Sequence, residues 1–338
     1  NKYFVDNQRL TFTLSADESI PGIDGMTSID DVVEATGMLA AADAAGEAGG
    51  GDVELPVPSV AEDAAVPVQF VTQQSAASPL VDVAFVVHTG AAFDPDGKKG
   101  LATLTAAMLT DGGSEARTIE EINAAMYPIA SGFNAQIDKE MTRLSGQVHK
   151  DNLDTWYSLI RGQLLFPAWS EDDFSRIRTQ VTNAIRTDLV GSNDEELGKE
   201  MLYATLYGDA HPYGSLNLGD VSDIESITLD DLKAFYREYY TINNITVGMS
   251  GGYPDDFPGR VSNDLQRLEP GTRARLDAPA APMPDGQEAV IIEKETPAVA
   301  VSFGFPIELK RGDPDWVALW LARSYFGEHR SSNSYLYK

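Results

Sequence analysis

Cysteine is absent from the 338 residues, so disulfides, thiol catalysis and cysteine-ligated zinc are excluded together. Cations are scarce. The chain has 25 Lys and Arg against 52 Asp and Glu, a formal net charge of -27. Binding nucleic acid requires cations that displace condensed counterions, so no nucleic-acid partner is expected, and an anionic membrane would repel this surface. Such acidity solubilises a protein and suits an extracytoplasmic setting, periplasmic or secreted, but it carries no chemistry of its own. The 4 histidines, His88, His149, His211 and His329, are spread so widely that no two share a helical turn, which leaves no local metal motif. Long apolar runs are missing too. Residues 81–87 and 317–322 are the length of buried strands or short core-helix segments, whereas a transmembrane helix needs roughly 20 residues. No signal peptide is visible in a chain that starts at Asn1.

What is present suffices for a core: 43% of residues are hydrophobic, with 13 Tyr, 13 Phe and 4 Trp. Residues 15–65 are poor in aromatics and include Gly49-Gly50-Gly51, which reads as a linker. From residue 66 the texture changes. Residues 68–72 and 81–88 are β-rich runs. Leu101, Leu104 and Met108 then fall at helical spacing until Gly112-Gly113. Thr118 with Glu121 forms a capping-box pattern ahead of Ile122, Met126 and Ile129, and residues 142–149 alternate like a strand. Asp151 opens a helix that ends near Pro167, and Ser170 with Asp173 opens another whose stripe is Phe174, Ile177, Val181 and Ile185. Thr228 with Asp231 caps a helix bearing Leu232, Phe235, Tyr236 and Tyr239, before a strand over 244–249. Residues 256–286, rich in Pro and Ala toward their end, read as a second linker. Residues 289–295 and 299–305 then restart the strand pair, and a helix follows from Pro314. The pattern predicts an α+β fold, a mixed or antiparallel sheet with helices packed on it, repeated in tandem with the second unit, 287–338, incomplete. Asn1-Lys2-Tyr3-Phe4 through Asn7 echoes Arg237-Glu238-Tyr239-Tyr240 through Asn243, which makes 1–14 a candidate tail of a preceding repeat.

Four stretches within residues 66–338 resemble the pitrilysin/insulinase family of zinc metallopeptidases. They are Gly90-Ala91-Ala92-Phe93-Asp94-Pro95 through Gly100-Leu101-Ala102; Gly132-Phe133-Asn134-Ala135-Gln136-Ile137 through Thr142; His211-Pro212-Tyr213-Gly214 with Leu218-Gly219, the most specific; and Tyr325-Phe326-Gly327 with Ser331-Ser332 and Leu336-Tyr337. The resemblance implies the pitrilysin-like sandwich for 66–255. It also implies that the helix after Gly100 is the family's zinc helix, which carries H-x-x-E-H. Here Thr103, Ala106 and Ala107 stand at those positions, and Asn183 or Ala184 stands where the family has its third ligand, a Glu. None is a competent zinc ligand, so no cofactor is expected in this chain, and zinc is expected only in a catalytic partner subunit or an upstream repeat. The family pairs extended substrate with the strand matching Phe133, Asn134, Ala135, Gln136 and Ile137, and backbone pairing survives loss of the metal.

The chain therefore reads as the non-catalytic half of a metallopeptidase chamber, which holds peptide for a zinc-bearing partner. A scaffold with the same fold is the alternative. A weaker one is a serine hydrolase centred on Ser250, because Gly248-Met249-Ser250-Gly251-Gly252 has the spacing of a nucleophile elbow. Three of the four acidic pairs Glu120-Glu121, Asp172-Asp173, Glu195-Glu196 and Asp230-Asp231 sit at expected helix starts, where the dipole explains them without carboxylate chemistry.

Overall fold

A computed structural model describes residues 68–283, 286, 288–294, 299–327 and 334–335. The readings of 1–14 as a repeat tail and 15–65 as a linker lie outside the described residues, as does His329. The sheet contains β1 (Gln69–Gln74), β2 (Leu80–Val87), β3 (Asn134–Ile137), β4 (Thr142–His149) and β5 (Ile245–Gly251). Their order is β1-β5-β2-β4-β3. β1 runs parallel to β5, and the other neighbours are antiparallel. Alternation decides which face is dry: Val81, Val83, Phe85 and Val87 of β2 and Ile245, Val247 and Met249 of β5 are all buried.

That apolar face is covered by helices. Helix α1 (Leu101–Thr110) packs against β3 and β4 on one side and against helices on the other. Nine of its residues are buried, from Leu101 through Ala106 and from Met108 through Thr110, so it is apolar nearly all round, as a sandwiched helix must be. Around it lie α2 (Ile119–Met126), α3 (Leu153–Leu165), α4 (Glu171–Asn183), α5 (Asp194–Tyr207), α6 (Val221–Ser226), α7 (Leu229–Tyr239) and α8 (Phe257–Leu265). The capping boxes form as expected, Thr118 with Glu121 on α2 and Thr228 with Asp231 on α7. Ser170 caps α4 through the Asp173 N–H, and its stripe of Phe174, Ile177, Val181 and Ile185 is buried. All four acidic pairs occupy first turns, of α2, α4, α5 and α7.

Three differences from the sequence reading have physical causes. Residues 256–286 are not linker throughout, because they open with α8, whose Phe257, Val261 and Leu265 are buried together with Leu268. Pro258 stands in the first turn, where a missing N–H costs nothing. Helix α5 gave no signal in the sequence because it has no buried stripe. Residues 289–295 and 299–305 form no strand among the described residues. Val299, Val301, Phe303 and Phe305 are 90%, 79%, 70% and 72% exposed, so their apolar side chains gain nothing from burial that would hold a ladder. The helix expected after Pro314 is present as α9 (Trp316–Gly327).

Candidate functional site

Asp94 starts the site. Its carboxylate accepts the N–H groups of Gly100 and Ala102, both at 2.7 Å, which holds the first turn of α1 in place. Burial nevertheless pushes this carboxyl up to about 6, against the pull of those N–H groups and of Lys99. Gly100 and Gly219 then allow two loops to touch. A Cβ on Gly219, whose φ is +97°, would fall 2.3 Å from the Gly100 Cα. This contact explains why Leu218-Gly219 belongs with Gly100-Leu101 in the sequence, and it brings Asn217 against Thr103 in the first turn of α1.

At the expected zinc positions the side chains are already committed or unsuited. The Thr103 hydroxyl is buried and donates to the Asn217 carbonyl at 2.5 Å. Ala106 is fully buried, Ala107 is half-buried, and Ala184 lines a pocket of about 300 Å³ with Asp188, Glu196, Glu200 and Asn217. Asn183, at the end of α4, is exposed. Among the described residues, no three His, Cys, Asp or Glu side chains gather closely enough to hold a metal ion. A threonine hydroxyl engaged as a donor, two alanine methyls on one turn and either Asn183 or Ala184 in place of the third ligand do not fit zinc, which takes imidazole, thiolate or carboxylate.

Strand β3 lies beside this helix at the sheet edge, with β4 as its neighbour. Phe133, just before it, is buried and meets Phe85 edge-on at 6.4 Å, so it anchors the strand from the core and is not presented at the edge. The Asp138 N–H donates to the Met141 carbonyl at 2.8 Å. Hydrogen-bonded and open pairs alternate along an antiparallel ladder. In this register, therefore, Asn134 and Gln136 turn their backbone groups toward β4, and Ala135 and Ile137 turn theirs to the free edge. The Ile137 carbonyl already receives the Asn217 side-chain amide at 3.4 Å. Lys139 reaches the Ser215 carbonyl from the same hairpin, and burial pulls its ammonium below the ordinary range. Asn217 was not singled out in the sequence, although its neighbours Leu218-Gly219 were.

His211 folds its own turn. Its Nδ1 accepts the Tyr213 N–H at 3.0 Å, and Nε2, which therefore carries the proton, donates to the Pro279 carbonyl at 3.0 Å. Ser250 sits inside β5, paired with Gln73 on one side and Asp82 on the other, and its hydroxyl bonds Asp82 at 3.4 Å. A nucleophile elbow needs a sharp strand-to-helix turn, so the hydrolase alternative fails on geometry.

Comparison with known proteins finds the same fold. Residues 69–216 match the family described as Insulinase (Peptidase family M16), and residues 226–338 match Peptidase M16 inactive domain. The chain is 22% identical over 259 residues to "Probable mitochondrial-processing peptidase subunit beta, mitochondrial" of Arabidopsis thaliana, covering 76% of this chain and 48% of the relative. It is 23% identical over 233 residues to "Non-peptidase homolog YmxG" of Helicobacter pylori, covering 69% and 52%. The chain thus spans about half the length of these curated relatives. Among solved structures, a peptidase M16 inactive domain from Pseudomonas fluorescens superposes with a TM-score of 0.66 at 22% identity, over 80% of this chain and 64% of that one. Pitrilysin superposes with a TM-score of 0.55 at 16% identity, over 62% and 23%.

Proposed function

We propose that the chain, which belongs to the insulinase family, peptidase family M16, is a non-catalytic member that works beside a zinc-bearing subunit or repeat, because Thr103 and Ala107 stand where the family's two zinc-binding His would be, Ala106 where its Glu would be, and Asn183 or Ala184 where its third ligand would be. The single observation that carries this reading is the loss of every zinc-binding group at once, with Thr103 turned to a structural hydrogen bond. The relatives named as a processing-peptidase subunit and as a non-peptidase homologue support it. In this reading the outward backbone groups of Ala135 and Ile137 hold an extended peptide by strand addition, while cleavage occurs on the partner's metal. The outermost elements suit a role that does not depend on side-chain chemistry, because main-chain hydrogen bonds supply the affinity. A scaffold role is the second reading, and the Asn217 amide on the Ile137 carbonyl favours it, since that contact shortens the free edge.

Zinc content and peptide cleavage decide the first question, measured on the full protein alone and after mixing with an H-x-x-E-H subunit from the same source. The protein alone should hold no stoichiometric zinc and cleave nothing, and the mixture should cleave. Peptidase activity of the protein alone, abolished by a chelator, would sink the proposal.

A further inference from the structure

The segment that follows α8 returns to the end of the sheet where β1 and β5 begin and β2 ends, and is tied down by groups that neither α1 nor the β3 edge uses. The Ile242 N–H donates to the Glu269 carbonyl at 3.1 Å, and the Ala274 N–H donates to Oδ1 of the fully buried Asn244 at 2.8 Å. A Cβ on Gly271 would fall 2.4 Å from the Thr241 hydroxyl, so the connector lies close against the turn that precedes β5. Beside these backbone ties stands one that depends on charge. Arg273 Nη2 donates to His88 Nδ1 at 3.2 Å, and its Nη1 reaches Gln69 Oε1 at 3.5 Å. With Nδ1 accepting, the His88 proton sits on Nε2, which donates to the Thr246 hydroxyl at 2.9 Å; that hydroxyl donates onward to Gln69 at 3.2 Å. Every member of this network is satisfied only while the imidazole is neutral.

We propose that His88 is a charge-operated latch on this connector. In the neutral state it accepts Arg273 and pins residues 269–274 against the ends of β1 and β5. Once protonated, the ring has no lone pair to offer, and two cations face each other across the same gap. Thr246 of β5 bonds the His88 ring, Gln69 of β1 bonds both Thr246 and Arg273, both side chains are neutral, and the backbone N–H of His88 is taken by the Asn244 carbonyl at 3.0 Å. Among the described residues, Arg273 is the charged group that acts on it, so no carboxylate offsets the repulsion. Burial first, and Arg273 second, hold the ring down at about 4. The latch is therefore closed at neutral pH and opens in acid. Opening leaves residues 269–274 on their backbone ties alone and so loosens the root of the connector, through which the chain passes to residues 288–327.

Trypsin reports the latch directly, because Arg273 and Arg275 are both exposed and both lie in the connector. His88→Lys places a permanent cation against Arg273, and His88→Gln keeps a neutral side chain that can still accept. At pH 8, cleavage after Arg273 and Arg275 should be about tenfold faster in H88K than in the parent protein and within about twofold of the parent in H88Q. If H88K is cut no faster, or if H88Q is cut as fast as H88K, charge is not the trigger and the proposal falls. A titration of the unmodified protein by NMR decides the matter even if H88K does not fold. The His88 ring should titrate well below its ordinary 6.5, and protection of the Ala274 amide should fall as it does. A ring titrating at the ordinary value, or Ala274 protection unchanged through the transition, would overturn the latch.

Discussion

Helix α1 and strand β3 pack against each other, and they have fared differently. The helix depended on side chains for chemistry, and two positions that match the H-x-x-E-H motif hold residues that serve the interior: Ala106, where the motif has its Glu, is fully buried, and Thr103, where it has its first His, is bonded to Asn217. The strand depends on its backbone, which no substitution other than proline removes, and Ala135 and Ile137 still turn their peptide groups outward. A site built from side chains can be erased by three or four substitutions, whereas an edge persists as long as the sheet folds. Asn217 joins the two regions. Its carbonyl takes the Thr103 hydroxyl and its amide donates to Ile137, so the loop bridges the vacated ligand position to the edge beside it.

The largest effect should come from putting the family's carboxylate back alone. Ala106→Glu would bury a charge at a position that is 0% exposed. Urea unfolding should show a loss of more than about 3 kcal/mol. A loss under about 1 kcal/mol would mean that α1 still has room for a metal site and that the contrast with β3 is overdrawn.

Proline substitutions on β3 sharpen the comparison at an intermediate size. Gln136→Pro removes an N–H that pairs with β4 and should cost about 1–3 kcal/mol. Ile137→Pro removes an N–H that points outward, so its stability loss should be smaller, while capture of an extended peptide by the full protein should weaken severalfold more than in the Gln136 variant. Equal stability losses would contradict the deduced register. Unchanged peptide binding in the stably folded Ile137 variant would favour the scaffold reading.

A pH dependence at the start of α1 tests the helix side of the comparison. Asp94 has a folded-state pKa of about 6, above its reference of 3.8. A raised folded pKa means the folded state holds the proton more tightly, so this contribution is full below 3.8 and is lost as pH rises through about 6. Asp94→Asn cannot ionise. The stability of the parent protein relative to this variant should therefore fall between pH 4 and pH 7, read from urea midpoints at each pH. A difference that rises over that window would show that the Gly100 and Ala102 N–H groups outweigh burial.

Much of this was legible in the sequence because the signals are local. A capping box needs only Thr118 and Glu121, a buried helix face only Phe174, Ile177, Val181 and Ile185, and β4 only eight alternating residues, so each was read correctly from a short window. Helix α5 escaped because it has no buried stripe, and α8 escaped because Pro258 and Gly259 look like breakers, although a proline in the first turn interrupts nothing.

By itself, the sequence determined the absence of zinc ligands at positions 103, 106 and 107, since no fold can turn an alanine methyl into a donor, and it determined the helices and strands whose periodicity is strong. Only the tertiary structure decided the rest. It placed Phe133 in the core rather than at the edge, turned Ala135 and Ile137 outward, and brought Asn217 between Thr103 and Ile137. It also set Arg273 against His88, 185 residues away in sequence. Side-chain chemistry is written residue by residue. The direction of a backbone N–H depends on which strand lies beside it and in which register, and a hydrogen bond across such a separation exists only after the chain has closed on itself.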